Sequence, residues 1–325
     1  MKLYSNDNNK ELIRLMTVKK REPHSIVITG EAGSGRKALG TYIAASLLCE
    51  SGKGEPCGVC KSCRMMDSGA HPDFIKLSAN DSGNYRLDTI REVVADAVIK
   101  PNEGALKVYL IPDLDRSVQT AVAVQNVLLK LIEEPPDHCV IILTAVTKEV
   151  FLPTIISRVL CIAAEPCTRQ EAEEWLTLHG GYGQDDIIRA VSCCGGNIGR
   201  CVEFITGKEL PAALECAKAA ADAVAAGSEY DLVKAFVTAD GKKAVTRQAL
   251  EMLSEIVRAA MLIKVNAEHE ECCYERGAER LAGILSEMQL DDLYTLVSDC
   301  RGRVNANCSL SLTVNNFAAR VFEGQ

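Results

Sequence analysis

Hydrophobic and polar positions change rhythm about halfway along the chain. In the first half, short apolar runs alternate with segments of helical spacing. Ser25-Ile26-Val27-Ile28-Thr29, Asp73-Phe74-Ile75-Lys76-Leu77, Val108-Tyr109-Leu110-Ile111 and Val140-Ile141-Ile142-Leu143-Thr144 read as strands, the third of them buried. Between them, Lys37 to Cys49, Leu87 to Ile99 and Ser117 to Ile132 carry apolar residues at helical intervals, the last stopping before Pro135-Pro136. Such alternation predicts an α/β fold, a parallel sheet with helices on both faces. After about Cys161 the strand signals stop. Thr168-Arg169-Gln170-Glu171 is a capping box opening a helix. Short helices follow, with breaks at Gly180-Gly181 and Gly195-Gly196, and the remainder from about 209 is Ala-rich and helical. The expected division is an α/β domain over 1–165, a small helical subdomain over 166–207 and an all-α domain over 208–325.

The first apolar run ends in Gly30-Glu31-Ala32-Gly33-Ser34-Gly35-Arg36-Lys37. A phosphate-binding loop is Gly, four residues, Gly, then Lys and Ser or Thr. Here the glycines are present, but Arg36 replaces the lysine and Lys37 the hydroxyl. Backbone N–H groups could still face a phosphate, and Arg36 could touch one, but Lys37 cannot ligate magnesium. The strand that normally ends in a metal-holding acidic pair reads Leu110-Ile111-Pro112-Asp113. Pro112 stands at the metal aspartate, and strand alternation would aim Asp113 elsewhere. Both magnesium contacts are thus lost, which argues against ATP hydrolysis. Two readings of the loop stay open: a degenerate nucleotide site, or a Gly-rich turn that binds none.

Cys49, Cys57, Cys60 and Cys63 form C-x7-C-x2-C-x2-C. Four thiolates at this spacing predict a closed, structural zinc site. His71 could replace one cysteine, although a hydrogen-bonded structural role suits it better. The other eleven of the 15 cysteines have no ligand spacing and read as small core residues.

Composition narrows the class. Hydrophobic residues are 47% and charged residues 25%, as in ordinary globular proteins. Neither a membrane span nor a signal peptide is evident, and an odd cysteine count suits reduced thiols, so a cytoplasmic location is expected. Residues 1–165 carry 20 basic and 20 acidic side chains, whereas 166–325 carry 16 and 24, the whole of the net charge of −8. Broad phosphate-backbone binding by the second half is therefore disfavoured.

These blocks, in this order, resemble the delta-prime subunits of bacterial DNA polymerase III clamp loaders, an AAA+ family. The resemblance rests on the loop, the four-cysteine insert with His71-Pro72-Asp73, and Lys107 to Ile111. It extends through Gln125 to Pro136, Leu152-Pro153-Thr154-Ile155-Ile156-Ser157-Arg158, Gly195 to Arg200 and Asn305 to Leu310. It implies an AAA+ domain, a helical lid and a helical collar. It also implies a subunit without hydrolysis of its own, helping motor (tau/gamma-type) and delta-type subunits load a sliding clamp onto primed DNA. Arg158 would be an arginine finger acting in trans on a neighbour's nucleotide. Gly30, Gly33, Gly35, Arg36 and the second-sensor residue Arg200 would form the degenerate nucleotide site. The family's Ser-Arg-Cys reads Ser157-Arg158-Val159 here. Rival readings are an active AAA+ motor subunit, which would need the missing magnesium chemistry, and a stand-alone zinc and DNA-binding module, which the charge balance disfavours.

Overall fold

The computed structural model describes residues 2–19, 23–80, 84–116, 118–237, 243–269 and 272–323. They fall into two compact units, Met1–Glu171 and Ala172–Gln325.

The first unit is built on five parallel strands: β1 (Ser25–Thr29), β2 (Phe74–Lys76), β3 (Lys107–Ile111), β4 (Cys139–Ala145) and β5 (Leu160–Ala163). Their order across the sheet is β2-β3-β4-β1-β5. β1 lies between β4 and β5, with Val27 opposite Leu143 on one side and Cys161 on the other. Side-chain alternation splits the strands between two cores. Ile26, Ile28, Val108, Leu110, Val140 and Ile142 pack on one side with Ile13 of α1 (Asp7–Val18) and Leu39 and Ile43 of α2 (Arg36–Leu48). Val27, Tyr109, Ile111, Ile141 and Leu143 pack on the other with Ile90 of α4 (Leu87–Asp96) and Leu128 of α5 (Val118–Glu133). The sheet is therefore covered on both faces, as the alternating sequence predicts. Gly40 lets α2 approach closely, because a Cβ there would sit 2.9 Å from Leu110 Cδ1.

Among the elements not legible in the pattern are β5 and α1. β5 is a four-residue edge strand with exposed Cys161 and Ala163, so its short apolar run does not mark two-sided burial. α1 opens with Asp7-Asn8-Asn9-Lys10, a polar start. It is fixed by distant partners: Asn9 Nδ2 donates to the Ala163 carbonyl at 2.7 Å, and Asn6 Oδ1 accepts from the Glu165 N–H at 2.9 Å. Ser117, expected to open α5, lies outside the described residues.

The second unit is helical. It contains α7 (Arg169–His179, which begins in the first unit), α8 (Gln184–Cys194), α9 (Ile198–Thr206) and α10 (Glu209–Ala226). The rest are α11 (Glu229–Val237), α12 (Lys243–Lys264), α13 (Glu275–Ile284), α14 (Glu287–Asn305) and α15 (Leu310–Phe322). One continuous core runs from Ala172 to Val321. The ends of α7 and α8 fall at the two glycine pairs, where Gly181 (φ 62°) and Gly195 (φ 58°) turn left-handed. The Thr168 box forms: Glu171 N donates to Thr168 Oγ1 at 3.2 Å, and Glu171 Oε2 accepts from Thr168 N at 2.8 Å.

The expectation that the eleven remaining cysteines all sit in the core needs correcting. Cys139, Cys201, Cys216 and Cys300 are buried, but Cys161 and Cys308 are exposed. Cys161 lies on edge strand β5 and Cys308 in the link from α14 to α15, places that spacing alone does not reveal.

Candidate functional site

The Gly-rich loop joins β1 to α2, so α2 opens where an interior strand of the sheet, paired on both sides, ends. Gly33 and Gly35 both take φ 83°, a left-handed geometry suited to glycine. The turn from β1 to α2 is thus built on left-handed glycines. Of its two cations, Arg36 has turned inward and Lys37 stays half exposed.

Arg36 is almost wholly buried, with its side chain 8% exposed. Its Nε and Nη2 donate to Asp113 Oδ1 at 3.2 and 2.8 Å, and its Nη1 donates to the Gly30 carbonyl at 2.5 Å. Lys37 Nζ reaches the other Asp113 oxygen at 2.6 Å. Asp115 adds a second carboxylate 3.9 Å from Arg36. Burial pushes the Asp113 carboxyl up, but Lys37 and Arg36 outweigh it and hold it below the usual carboxylate range.

Strand alternation had aimed Asp113 away from the loop, and here the structure overturns it. β3 ends at Ile111, and Asp113 takes φ 53°, a left-handed conformation that breaks the alternation. Its N–H donates to Thr144 Oγ1 of β4 at 2.9 Å, while the Tyr85 hydroxyl donates to the Pro112 carbonyl. These anchors turn the carboxylate onto Arg36 and Lys37. The only hint in sequence is Pro112, which ends strand pairing.

The four-cysteine insert follows α2. Cys49 caps that helix, and Cys60 Sγ accepts the Cys63 N–H at 3.3 Å at the start of α3 (Lys61–Asp67). Cys49 Sγ accepts the Cys57 N–H at 3.4 Å. All four sulfurs lie within 4.8 Å of one another, and Cys57 and Cys63 are 4.0 Å apart. A tetrahedral zinc with bonds near 2.3 Å requires sulfurs about 3.8 Å apart, so the set fits such an ion with little movement. The backbone N–H groups of Val59 and Cys60 pull the Cys57 thiol down to about 6, whereas burial pushes Cys63 up to about 12. A divalent ion would offset that second cost, because a coordinating thiol is deprotonated by the metal's charge.

His71 stands outside this set. Its Nδ1 accepts the Asp73 N–H at 3.1 Å, and its Nε2 lies 3.0 Å from Ser62 Oγ. Asp73, fully buried, accepts N–H bonds from Asn102, Glu103 and Gly104 at 2.6, 2.7 and 3.2 Å. The insert is thereby tied to the loop before β3, a connection that sequence spacing did not show. At its other side Gly54 lies against α1: a Cβ there would be 2.5 Å from Arg14 Cα.

Arg158 follows α6 (Pro153–Ile156) and precedes β5. Its side chain is 44% exposed, and its Nη1 donates to the Thr154 carbonyl at 2.9 Å and to Ser157 Oγ at 3.0 Å. Its Nη2 lies 3.3 Å from Glu133 Oε1, at the end of α5. Arg200, on α9 of the second unit, bonds Glu251 Oε2 of α12 at 3.2 Å. Gly30, Gly33, Gly35 and Arg36 thus share one loop and the four cysteines share one cluster. Arg158 has its own exposed position, and Arg200 is held within the helical unit.

The family described as DNA polymerase III, delta subunit, matches residues 5–168, about half of the chain. The DNA polymerase III subunit delta' of Escherichia coli K12 is 30% identical over 217 residues, 66% of this chain and 64% of that protein. The delta' subunit of Pseudomonas aeruginosa is 34% identical over 155 residues, 47% of this chain and 46% of that protein. The aligned region therefore spans less than two thirds of either relative. The tau subunit of E. coli is 31% identical over 138 residues, 42% of this chain and 21% of that protein. Among solved structures, a DNA polymerase III gamma subunit-related protein of Thermotoga maritima aligns at a TM-score of 0.42 with 19% identity, over 97% of this chain and 98% of that one. On the extent of the family match and the names of its relatives, the chain belongs to the DNA polymerase III delta-subunit family and is of the delta-prime type.

Proposed function

We propose that this chain is a non-hydrolysing clamp-loader subunit that supplies Arg158 to a neighbouring motor subunit's nucleotide. The observation that carries the reading is the contrast between two arginines. Arg36, in the chain's own loop, is buried and neutralised by Asp113, whereas Arg158 is half exposed and held by an exposed carboxylate. An exposed ion pair contributes about 0–1 kcal/mol, so Arg158 can leave Glu133 at little cost. A guanidinium on a γ-phosphate stabilises charge in the transition state.

The absence of magnesium-holding residues underlies the non-hydrolysing part. Lys37 is a cation where a hydroxyl would bind metal, and the Asp113 carboxylate is taken up by two cations. The four cysteines would hold a structural zinc, since four thiolates leave no position for water. Residues 166–207 would act as the lid and 208–325 as the collar through which motor and delta-type subunits assemble. The sliding clamp and primed DNA would be reached through that complex. Arg200, engaged with Glu251, would serve as a contact within the helical unit rather than a nucleotide sensor.

The test is reconstitution. Mixed with motor and delta-type subunits, the chain is expected to co-elute as one complex, and alone to release no phosphate from ATP above background. Magnesium-dependent turnover by the isolated chain, lost on Arg36→Ala, would refute the non-hydrolysing reading.

A further inference from the structure

A loop that has lost its magnesium chemistry could still bind phosphate. It retains two cations, left-handed glycines and the first N–H groups of a 13-residue helix. What happens to those cations decides the matter. Arg36 and Lys37 each end on the same carboxylate, one on each oxygen, at 2.8 and 2.6 Å. Asp113 is itself 5% exposed, so solvent screens the Arg36 contact little. Asp115, 3.9 Å from Arg36, makes the acidic side equal in number to the basic side. An incoming phosphate therefore meets a loop without net positive charge.

We propose that Asp113 is an internal counter-ion that shuts the loop: it occupies the cations a phosphate would need, and polyphosphate binds only when this carboxylate is removed or displaced. In a working site, phosphate and carboxylate are compatible because a metal lies between them. In this chain Lys37 stands where the metal-recruiting hydroxyl would be, so the carboxylate and the phosphate compete directly. The backbone commits Asp113 to this task, through its left-handed φ of 53° and its N–H bond to Thr144. The inference goes beyond the non-hydrolysing reading, which needs only the loss of metal ligands and would hold whether or not the loop binds phosphate.

Magnesium-free sodium pyrophosphate is the probe, titrated by calorimetry into the full chain and its variants. The wild type is expected to show no saturable binding in the millimolar range. Asp113→Asn should gain at least about tenfold in affinity, with the gain shrinking as salt is raised, as for any exposed ionic contact. Removing the carboxylate strands a buried guanidinium, so a second comparison uses Arg36→Lys, whose compact, flexibly held ammonium can turn to solvent. Arg36→Lys alone should stay silent, because Asp113 remains. Arg36→Lys with Asp113→Asn should bind pyrophosphate at least about tenfold more tightly than the single variant. Wild-type binding as tight as that of the double variant would overturn the proposal, as would a folded double variant that gains nothing. A chain that folds only with Asp113 present would also overturn it, since Asp113 would then be a structural counter-ion. ATP turnover measured on the same samples keeps the two readings apart: hydrolysis by the wild type refutes the non-hydrolysing reading, while silence of the double variant refutes only the lock.

Discussion

Glu171 shows how one carboxylate can join chain segments far apart in sequence. It closes the capping box on Thr168 and also accepts the Ser5 N–H at 2.9 Å and the Ser5 hydroxyl at 2.6 Å. The Ser5 hydroxyl and the Thr168 N–H draw its carboxyl down to about 2, against a small opposing effect of burial. A carboxyl whose folded value lies below its unfolded value stabilises the fold above the unfolded value and loses that stabilisation as pH falls. The contribution should therefore be complete above about pH 4.5 and fade between about pH 4.5 and pH 2. Glu171→Gln is expected to cost about 1 kcal/mol at pH 7, the scale of a helix cap. In urea melts, its deficit relative to wild type should narrow steadily from pH 5 to pH 3. A deficit that stays constant over that range would mean the charge contributes nothing. The box was legible in sequence because both partners lie within one turn. The bonds to Ser5, 166 residues away, carry no local signal.

At the scale of elements, the zinc insert and the sheet differ in what holds them. The inner strands β1, β3 and β4 are buried on both faces, so burial stabilises them, and their apolar runs stood out in the sequence. β5 and α1 did not stand out, because one is a half-exposed edge and the other is fixed by asparagines reaching distant backbone. The insert has little core of its own. Cys57 and Cys60 are only partly buried and Val59 is 75% exposed, so its fold must rest on its sulfurs and on the His71–Asp73 connection. Elemental analysis should find about one zinc per chain, from four ligands completing a tetrahedron. Cys60→Ser should lower zinc content and the melting temperature together, and a chelator should lower the wild-type melting temperature towards that of the variant. Full zinc occupancy in a chain lacking both Cys57 and Cys60 would refute the assignment. Spacing made the cluster readable, since C-x2-C dictates a tight turn wherever it occurs. The direction of Asp113 was not readable, because one left-handed residue cancels the alternation rule.

For the whole molecule, the central question is where Arg158 acts. Among the described residues its guanidinium holds Thr154, Ser157 and Glu133, all at an exposed end of α5 and α6. Such contacts contribute little to folding, so Arg158→Ala should leave the melting temperature within about a degree or two of wild type. Assembly with motor and delta-type subunits should also persist. The loss is expected in the complete complex, as reduced clamp- and DNA-stimulated ATP hydrolysis. At the one nucleotide facing this subunit the effect should be large, since arginine fingers accelerate phosphoryl transfer about 10³–10⁵-fold. Motor sites served by other subunits keep their own arginines, so total turnover should fall by a fraction rather than vanish. Arg158→Lys should recover little of it, because an ammonium keeps the charge but lacks the planar fork. Glu133→Gln separates the finger from a local structural role. It frees Arg158 without removing it, so turnover in the complex should hold or rise, whereas an arginine needed only for its bond to Glu133 would make both variants equally defective. Normal hydrolysis by the Arg158→Ala complex would place the finger elsewhere and leave Arg158 as a surface contact of its own chain.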